Sequence, residues 1–357
     1  MDETTYRILD VLSRNLGKPI SIHELTSKIQ EAYGAAYYAN IHEKIGQLSR
    51  ERMIELLRAG RSSLVFLNFE NYLLIDLLAE MELKRKRDFL SGKKEMQMLI
   101  MEMDTLVHSM PFIKSVTLMS PQRNAKLNKA ELLFQINKSD RKSTEETKIS
   151  INRITANLQK AYNIRIDHLI LEDKDFVDLL RSNESNPAKE MLHNKISAWH
   201  PQDYWMSISG AIRAGIMIVA EESQTNPAKM TEEDLVFNLA RFGYVELGPK
   251  IKQGRLICIE YIIAAIMFQN DARRMDAIPI MLAKNSAKTN YDLVLFLARK
   301  YGFEGKILGI LVALRNLIGN RMANIDEPVR LLEAMKIKEI RADKKGIKEK
   351  LRLYNVA

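Results

Sequence analysis

The chain has 357 residues, an apolar fraction of 46%, and 54 lysines and arginines against 45 aspartates and glutamates, for a net charge of +9. This is the composition of a globular protein with an ample core, and it excludes a fold that depends on disulfides. The length points to two or three domains.

The single cysteine, Cys258, sits in the apolar run LICIEYIIAAIMF and reads as a small buried hydrophobe in a reducing compartment. The opening MDETTYR is acidic and polar, so no signal peptide is expected. The longest apolar stretch, Leu256–Phe268, falls short of the roughly 18 residues of a membrane span, and Glu260 interrupts it. A cytoplasmic protein without membrane contact is expected.

In chain order, Ile8, Leu9, Val11, Leu12 and Leu16 share one face of a first helix, which Gly17-Lys18-Pro19 ends. Ser21 and Glu24 form a capping-box pattern for a second helix. A third, over about 35–51, buries Tyr38, Ile41, Ile45 and Leu48 in this reading. Two short apolar runs, Ile54–Leu57 and Leu64–Leu67, flank the turn RAGRSS and predict a hairpin with Arg58 and Arg61 at its tip. A long helix over 70–90 ends in Lys84-Arg85-Lys86-Arg87, and Ser91-Gly92 marks a boundary. Strands are expected near 115–119, 131–136 and 164–171. Helices fall between and around them, suggesting a small sheet with helices on one face. From about residue 225 the pattern is all helical. Between Lys336 and Arg352 the chain carries eight basic residues to three acidic ones, a basic tail.

Three helices followed by a hairpin, through YANIHEKIGQLSRERMIELLRAGRSSLVFLNF, resemble archaeal and bacterial winged-helix transcription-factor domains over residues 4–69. The resemblance implies that the third helix enters the major groove and that the wing meets the backbone or minor groove. Tyr37, Asn40, Lys44 and Gln47 would face double-stranded DNA, Asn40 and Gln47 with the amide chemistry that reads adenine. Arg58 and Arg61 would contact phosphates or enter a narrow minor groove. Residues 1–70 are nearly neutral in charge, so a homodimer, the Lys84–Arg87 cluster or the tail would supply the rest of the attraction to DNA. A winged helix used for protein contact stands beside this reading.

The order helix, strand, loop, strand, helix, strand over about 93–208, with FVDLLRSNESNPAKEMLHNKISAWHPQDYWMSI, resembles the minimal nucleotidyltransferase family. The family implies a Gly-Ser turn that cradles phosphate, two acids one residue apart on the next strand that hold Mg²⁺, and a third acid on a later strand. Here the turn falls on Ser120-Pro121, and proline offers no N–H. The acid pair falls on Lys129 and Glu131, and the third acid on Asp167. A lysine in a magnesium ligand's place reverses the local charge, and ion pairs of Lys129 with Glu131 or Asp167 need no metal. The six histidines show no zinc spacing.

These patterns together predict a multi-domain α+β protein. Residues 1–70 form a winged helix-turn-helix, 71–92 a linker helix, 93–222 a nucleotidyltransferase-like domain with a small mixed sheet, 225–334 an all-α domain and 335–357 the tail. The leading expectation is a DNA-binding regulatory protein whose degenerate middle domain is a scaffold or ligand sensor, with no catalytic residue, metal or cofactor. The alternatives are an active Mg²⁺-dependent nucleotidyltransferase of toxin–antitoxin type and a protein-interaction adaptor.

Overall fold

The computed structural model describes residues 1–121, 128–137, 140–246 and 251–356. The protein is α+β. It opens with α1 (Glu3–Arg14), a two-residue strand β1 (Ile20–Ser21), α2 (Ile22–Tyr33), α3 (Tyr38–Arg50) and the hairpin β2 (Ile54–Ala59) and β3 (Ser62–Leu67). Asp2 and Ser21 cap α1 and α2 by accepting from the N–H groups of Thr5 and Glu24. The strands form an antiparallel sheet in the order β1-β3-β2. Ala59 pairs with Ser62, which leaves Gly60 and Arg61 as a two-residue turn, and Gly60 takes the left-handed φ of 62° that a type II′ turn asks of its first central residue.

Ile41, Ile45 and Leu48 of α3 are buried, but Tyr38 is half exposed and packs on His42. The expected inward position of Tyr38 is therefore corrected. Tyr38 is the first residue of α3, and the face that meets the core begins one turn later.

The helix α4 (Tyr72–Leu90) leads to α5 (Lys94–His108), β4 (Ile113–Met119), β5 (Lys129–Ile136), α6 (Arg141–Tyr162), β6 (Arg165–Glu172), α7 (Asp173–Arg181), α8 (Pro187–His193), β7 (Lys195–Trp199) and α9 (Pro201–Arg213). The second sheet has the order β6-β5-β4-β7. β5 and β6 run parallel, joined across α6, and the other pairs are antiparallel. Helices were expected on one face only. Instead, both faces are covered. Leu132, Phe134 and Ile166 join a core with Met96 and Leu99 of α5 and Ile151 of α6. Leu133, Leu169 and Leu171 join a second core with Phe176, Tyr204 and Trp205.

That second core is continuous with the N-terminal helices on one side and with the C-terminal helices on the other. The latter are α10 (Glu232–Arg241), α11 (Ile259–Gln269), α12 (Ala277–Lys284), α13 (Tyr291–Tyr301), α14 (Glu304–Ile318), α15 (Asp326–Ala334) and α16 (Lys344–Leu353). Cys258 lies buried at the head of α11. The basic tail is folded onto this layer. Ile347 and Leu351 of α16 are buried, and Lys350 pairs with Asp276 at 3.1 Å. Before α16 the backbone rests on α14. The N–H of Ile340 donates to the Gly305 carbonyl at 2.9 Å, and a Cβ on Gly309 would stand 1.9 Å from the Ile340 carbonyl oxygen.

A buried charge cluster ties α1, α4 and β7 together. The Arg85 guanidinium bonds to the Asp10 carboxylate, to Glu82 at 2.7 Å and to the Ser13 hydroxyl at 2.8 Å. Glu82 also accepts from the Lys195 ammonium and from the Ser197 N–H at 3.1 Å. The four charged side chains are at most 5% exposed. Lys195 sits 4.4 Å and 4.5 Å from the ring centres of Tyr204 and Trp205. Burial raises the Asp10 carboxyl, yet Arg85 and Arg14 outweigh it and bring the group down to about 2. Burial brings Lys195 down to about 8 against the pull of Glu82.

Arg85 was expected in a basic surface cluster and lies in the core instead. Lys84 pairs with Glu3, and Lys86 donates to the Ala198 carbonyl at 2.6 Å. A buried pair broken on one side leaves an unpaired charge. Glu82→Ala is therefore expected to cost about 3–5 kcal/mol of stability by urea unfolding, and Glu82→Leu with Lys195→Met to recover part of it. A single variant as stable as the parent would show that the cluster does not hold these elements. Asp10 adds a pH dependence. Its folded pKa lies below the ordinary 3.8, so its contribution is complete above pH 3.8 and is lost as pH falls toward about 2.

Candidate functional site

Two regions carry the residues singled out by sequence. The first is the C-terminal end of β4 with its neighbours β5 and β6. Ser120 follows β4 in a left-handed conformation, φ 46°. Its N–H donates to the Asn194 carbonyl at 2.9 Å, and its hydroxyl accepts from Gln224. The N–H that would face a phosphate is thus already used, and Pro121 has none to offer. Residues 122–127 of the loop lie outside the described residues.

On β5 and β6 the parallel register sets Lys129 beside Arg165 and Glu131 beside Asp167. Alternation along each strand places all four on one face, two cations in one row and two carboxylates in the next. Lys129 reaches both acids, 2.8 Å to Glu131 and 3.1 Å to Asp167. The Asp167 contact lies in ion-pair range without hydrogen-bond geometry, and that oxygen has no hydrogen-bond donor. Asp167 also pairs with Arg165 at 3.1 Å, and Glu131 with Lys300 at 2.8 Å. Three cations therefore serve two carboxylates. The Asp167 side chain is 1% exposed and that of Glu131 14%. Burial pushes the Glu131 carboxyl up, but Lys300 and Lys129 outweigh it and hold the group below its ordinary range.

Lys300 comes from the end of α13, which runs along the edge strand β6. Arg165 donates to the carbonyls of Arg299 and Lys300, the latter at 3.0 Å. Arg299 turns to the other face of the strand. Its Nη1 lies 2.9 Å from Nδ1 and 2.8 Å from Nε2 of His168, and its Nη2 donates to Asn152 at 2.9 Å. His168 is buried, and burial together with Arg299 pushes its pKa well below 6.5, so it stays neutral. No group of three or more His, Cys, Asp or Glu side chains among the described residues is placed to hold a metal ion. The site is an ion-paired joint between β5, β6 and α13 with one cation in excess.

The second region is the exposed side of α3 and the β2–β3 hairpin. Tyr37 is 73% exposed, and Asn40, Gln47, Arg58 and Arg61 are also exposed. Lys44 is only 21% exposed. It pairs with Asp2 at 3.1 Å and donates to Gln47 at 2.8 Å, and Gln47 donates onward to Glu51 at 2.9 Å. The side chains of Tyr37, Asn40, Arg58 and Arg61 have no hydrogen bond or ion pair within the described residues. Leu56 and Leu57, on opposite faces of β2, are 43% and 57% exposed.

In comparisons with known proteins, the chain matches no family model, no curated protein and no solved structure. Among the described residues, no helix is long and apolar enough to cross a membrane.

The joint on β5 and β6 has a checkable consequence. The folded pKa of Glu131 lies below its ordinary 4.5, so its ion pairs stabilise the fold above that pH, and the effect fades as pH falls through the lower folded value. Lys129→Met removes one of the two cations that hold it down. Acid unfolding followed by circular dichroism should then begin at higher pH, with about 1 kcal/mol lost at neutral pH because Lys129 is itself one-third exposed. An unchanged acid transition would leave Lys300 as the sole cation that matters.

Proposed function

We propose that this protein is a DNA-binding regulatory protein. In this reading residues 1–70 are a winged helix-turn-helix, α3 is the recognition helix and the β2–β3 turn is the wing. The observation that carries it is the set of exposed side chains at the start of α3 and at the hairpin tip that have no partner among the described residues: Tyr37, Asn40, Arg58 and Arg61. Two free guanidinium groups on an exposed turn suit phosphate oxygens, and a free carboxamide at a helix N-terminus suits a base edge. Lys44 and Gln47 already have protein partners and would have to exchange them on binding. The near-neutral charge of this region makes a homodimer, with two such surfaces, the effective binder.

In the same reading the middle region is a nucleotidyltransferase-like scaffold without turnover. Lys129 and Lys300 occupy the space a divalent ion would need beside Glu131, and the Ser120 N–H is spent on Asn194. A second reading, a protein-interaction adaptor, draws support from Leu56 and Leu57. A wing used for phosphate has little need of exposed leucines on both strand faces.

Electrophoretic mobility shift with random duplex separates the two. The DNA reading expects a shift at about 50 mM salt that weakens steeply toward about 200 mM. Arg58→Ala with Arg61→Ala should weaken binding for every sequence and flatten the salt slope by about two. Asn40→Ala should instead cost about 1–3 kcal/mol on preferred sites only. No shift at low salt would remove the DNA reading and favour the adaptor.

A further inference from the structure

The helix α16 carries a row of cations that the rest of the described chain does not use. Lys344, Lys348 and Arg352 recur every four residues, and Lys345 lies beside them. At 3.6 residues per turn the four fall within about 100° of the circumference. All four are exposed, and none of their side chains has an ion pair or hydrogen bond among the described residues. Lys350, off this row, pairs with Asp276.

The row is kept against the helix's own electrostatics. A helix dipole favours acids in the first turn and disfavours cations there. The first turn of α16 holds Lys344 and Lys345 and no acid, with Asp343 as the cap just outside it. Cations placed where the dipole repels them, without a partner inside the protein, point to a partner outside it. The helix is also fixed before any partner arrives. Ile347 and Leu351 are buried on its inner face. Just past its end the Tyr354 ring stacks on Tyr244, and the Tyr354 hydroxyl donates to the Val245 carbonyl at 3.1 Å.

From Lys344 to Arg352 the helix rises roughly 12 Å. Successive phosphates of one strand advance about 3.4 Å along a duplex, so the row spans about three or four of them. It holds no Asn or Gln to read a base edge and no aromatic ring to stack an unpaired base. Of the three isoleucine and leucine side chains of α16 only Leu353 is exposed, which leaves little to enter a lipid surface. We propose that α16 is a sequence-independent contact for the phosphate backbone of duplex DNA, separate from the winged-helix surface. The choice of DNA rests on the function proposed above, but the two surfaces can fail separately.

Fluorescence anisotropy of a labelled random duplex, with the full-length protein, tests it. A variant combining Lys344→Gln, Lys345→Gln, Lys348→Gln and Arg352→Gln should bind about tenfold or more weakly at about 50 mM salt, for every sequence alike. Its plot of log affinity against log salt should flatten by about three to four. Its melting temperature should match the parent's, since the row pairs with nothing inside the protein. A control combining Lys94→Gln, Lys160→Gln, Lys229→Gln and Lys288→Gln removes the same charge from scattered exposed positions and should bind nearly as the parent does. Parent-like binding by the α16 variant would overturn the proposal, even where Arg58→Ala with Arg61→Ala weakens binding and so upholds the winged-helix contact. Loss in the α16 variant, with none in the Arg58 and Arg61 variant, would uphold this surface and remove the other. An equal loss in the control would reduce the row to net charge and overturn it. So would binding of phosphatidylserine vesicles through the same four residues more tightly than duplex. No binding by the parent at low salt would remove both contacts.

Discussion

The architecture depends on charges kept out of water. Asp10, Glu82, Arg85 and Lys195 come from two helices and a strand far apart in sequence, and they meet where the N-terminal helices abut the second sheet. Taken singly, each would be too costly to bury. Together they balance, and the Ser13 hydroxyl and the Ser197 N–H take up further bonding capacity. A hydrophobic contact tolerates sliding, whereas this cluster has one arrangement that satisfies all its members. It therefore fixes how α4 lies across the sheet, and through α4 how the N-terminal helices are carried.

The same logic operates at the edge of that sheet. A bare β6 would offer a row of unpaired backbone groups. Here α13 lies along it, with Lys300 reaching the acids on one face and Arg299 reaching His168 and Asn152 on the other. The acids that resemble a catalytic pair thus serve as anchors for a helix. Turnover would require α13 to withdraw and Lys129 to vacate its place, two costs set against any gain from a bound metal. The scaffold role proposed above draws on the geometry of the joint as much as on the missing acid.

Much of this was legible in the sequence because periodicity reports burial. Ile41, Ile45 and Leu48 recur at helical spacing and are buried, and the capping serine at 21 does cap. The three strands expected in the middle region are present within a few residues. The charged core was harder to see. Leu74, Leu78, Glu82, Arg85 and Phe89 continue a single stripe of α4, so the two ionic residues stand at core positions, but adjacent Lys84, Lys86 and Arg87 made Arg85 read as surface. Coverage of both sheet faces was written in the nearly unbroken apolar run of β5, the mark of a strand buried on two sides. Lys300 had no local signal, because its partner Glu131 lies in another part of the chain. Tyr38 misled because helical spacing does not say where along a helix the core begins.

The contact between α14 and the segment ahead of α16 has a consequence for how the protein's surface can change. Main chain meets main chain there, through Gly305, Gly309 and Ile340, so the grip does not rely on which side chains point outward. Apart from Lys350, which pairs with Asp276, the lysines and arginines between Lys336 and Arg352 can be gained or lost without loosening this main-chain contact, whereas a methyl group at residue 309 would prise the strap off. The carboxy-terminal stretch is thus a place where electrical character can drift while anatomy stays constant.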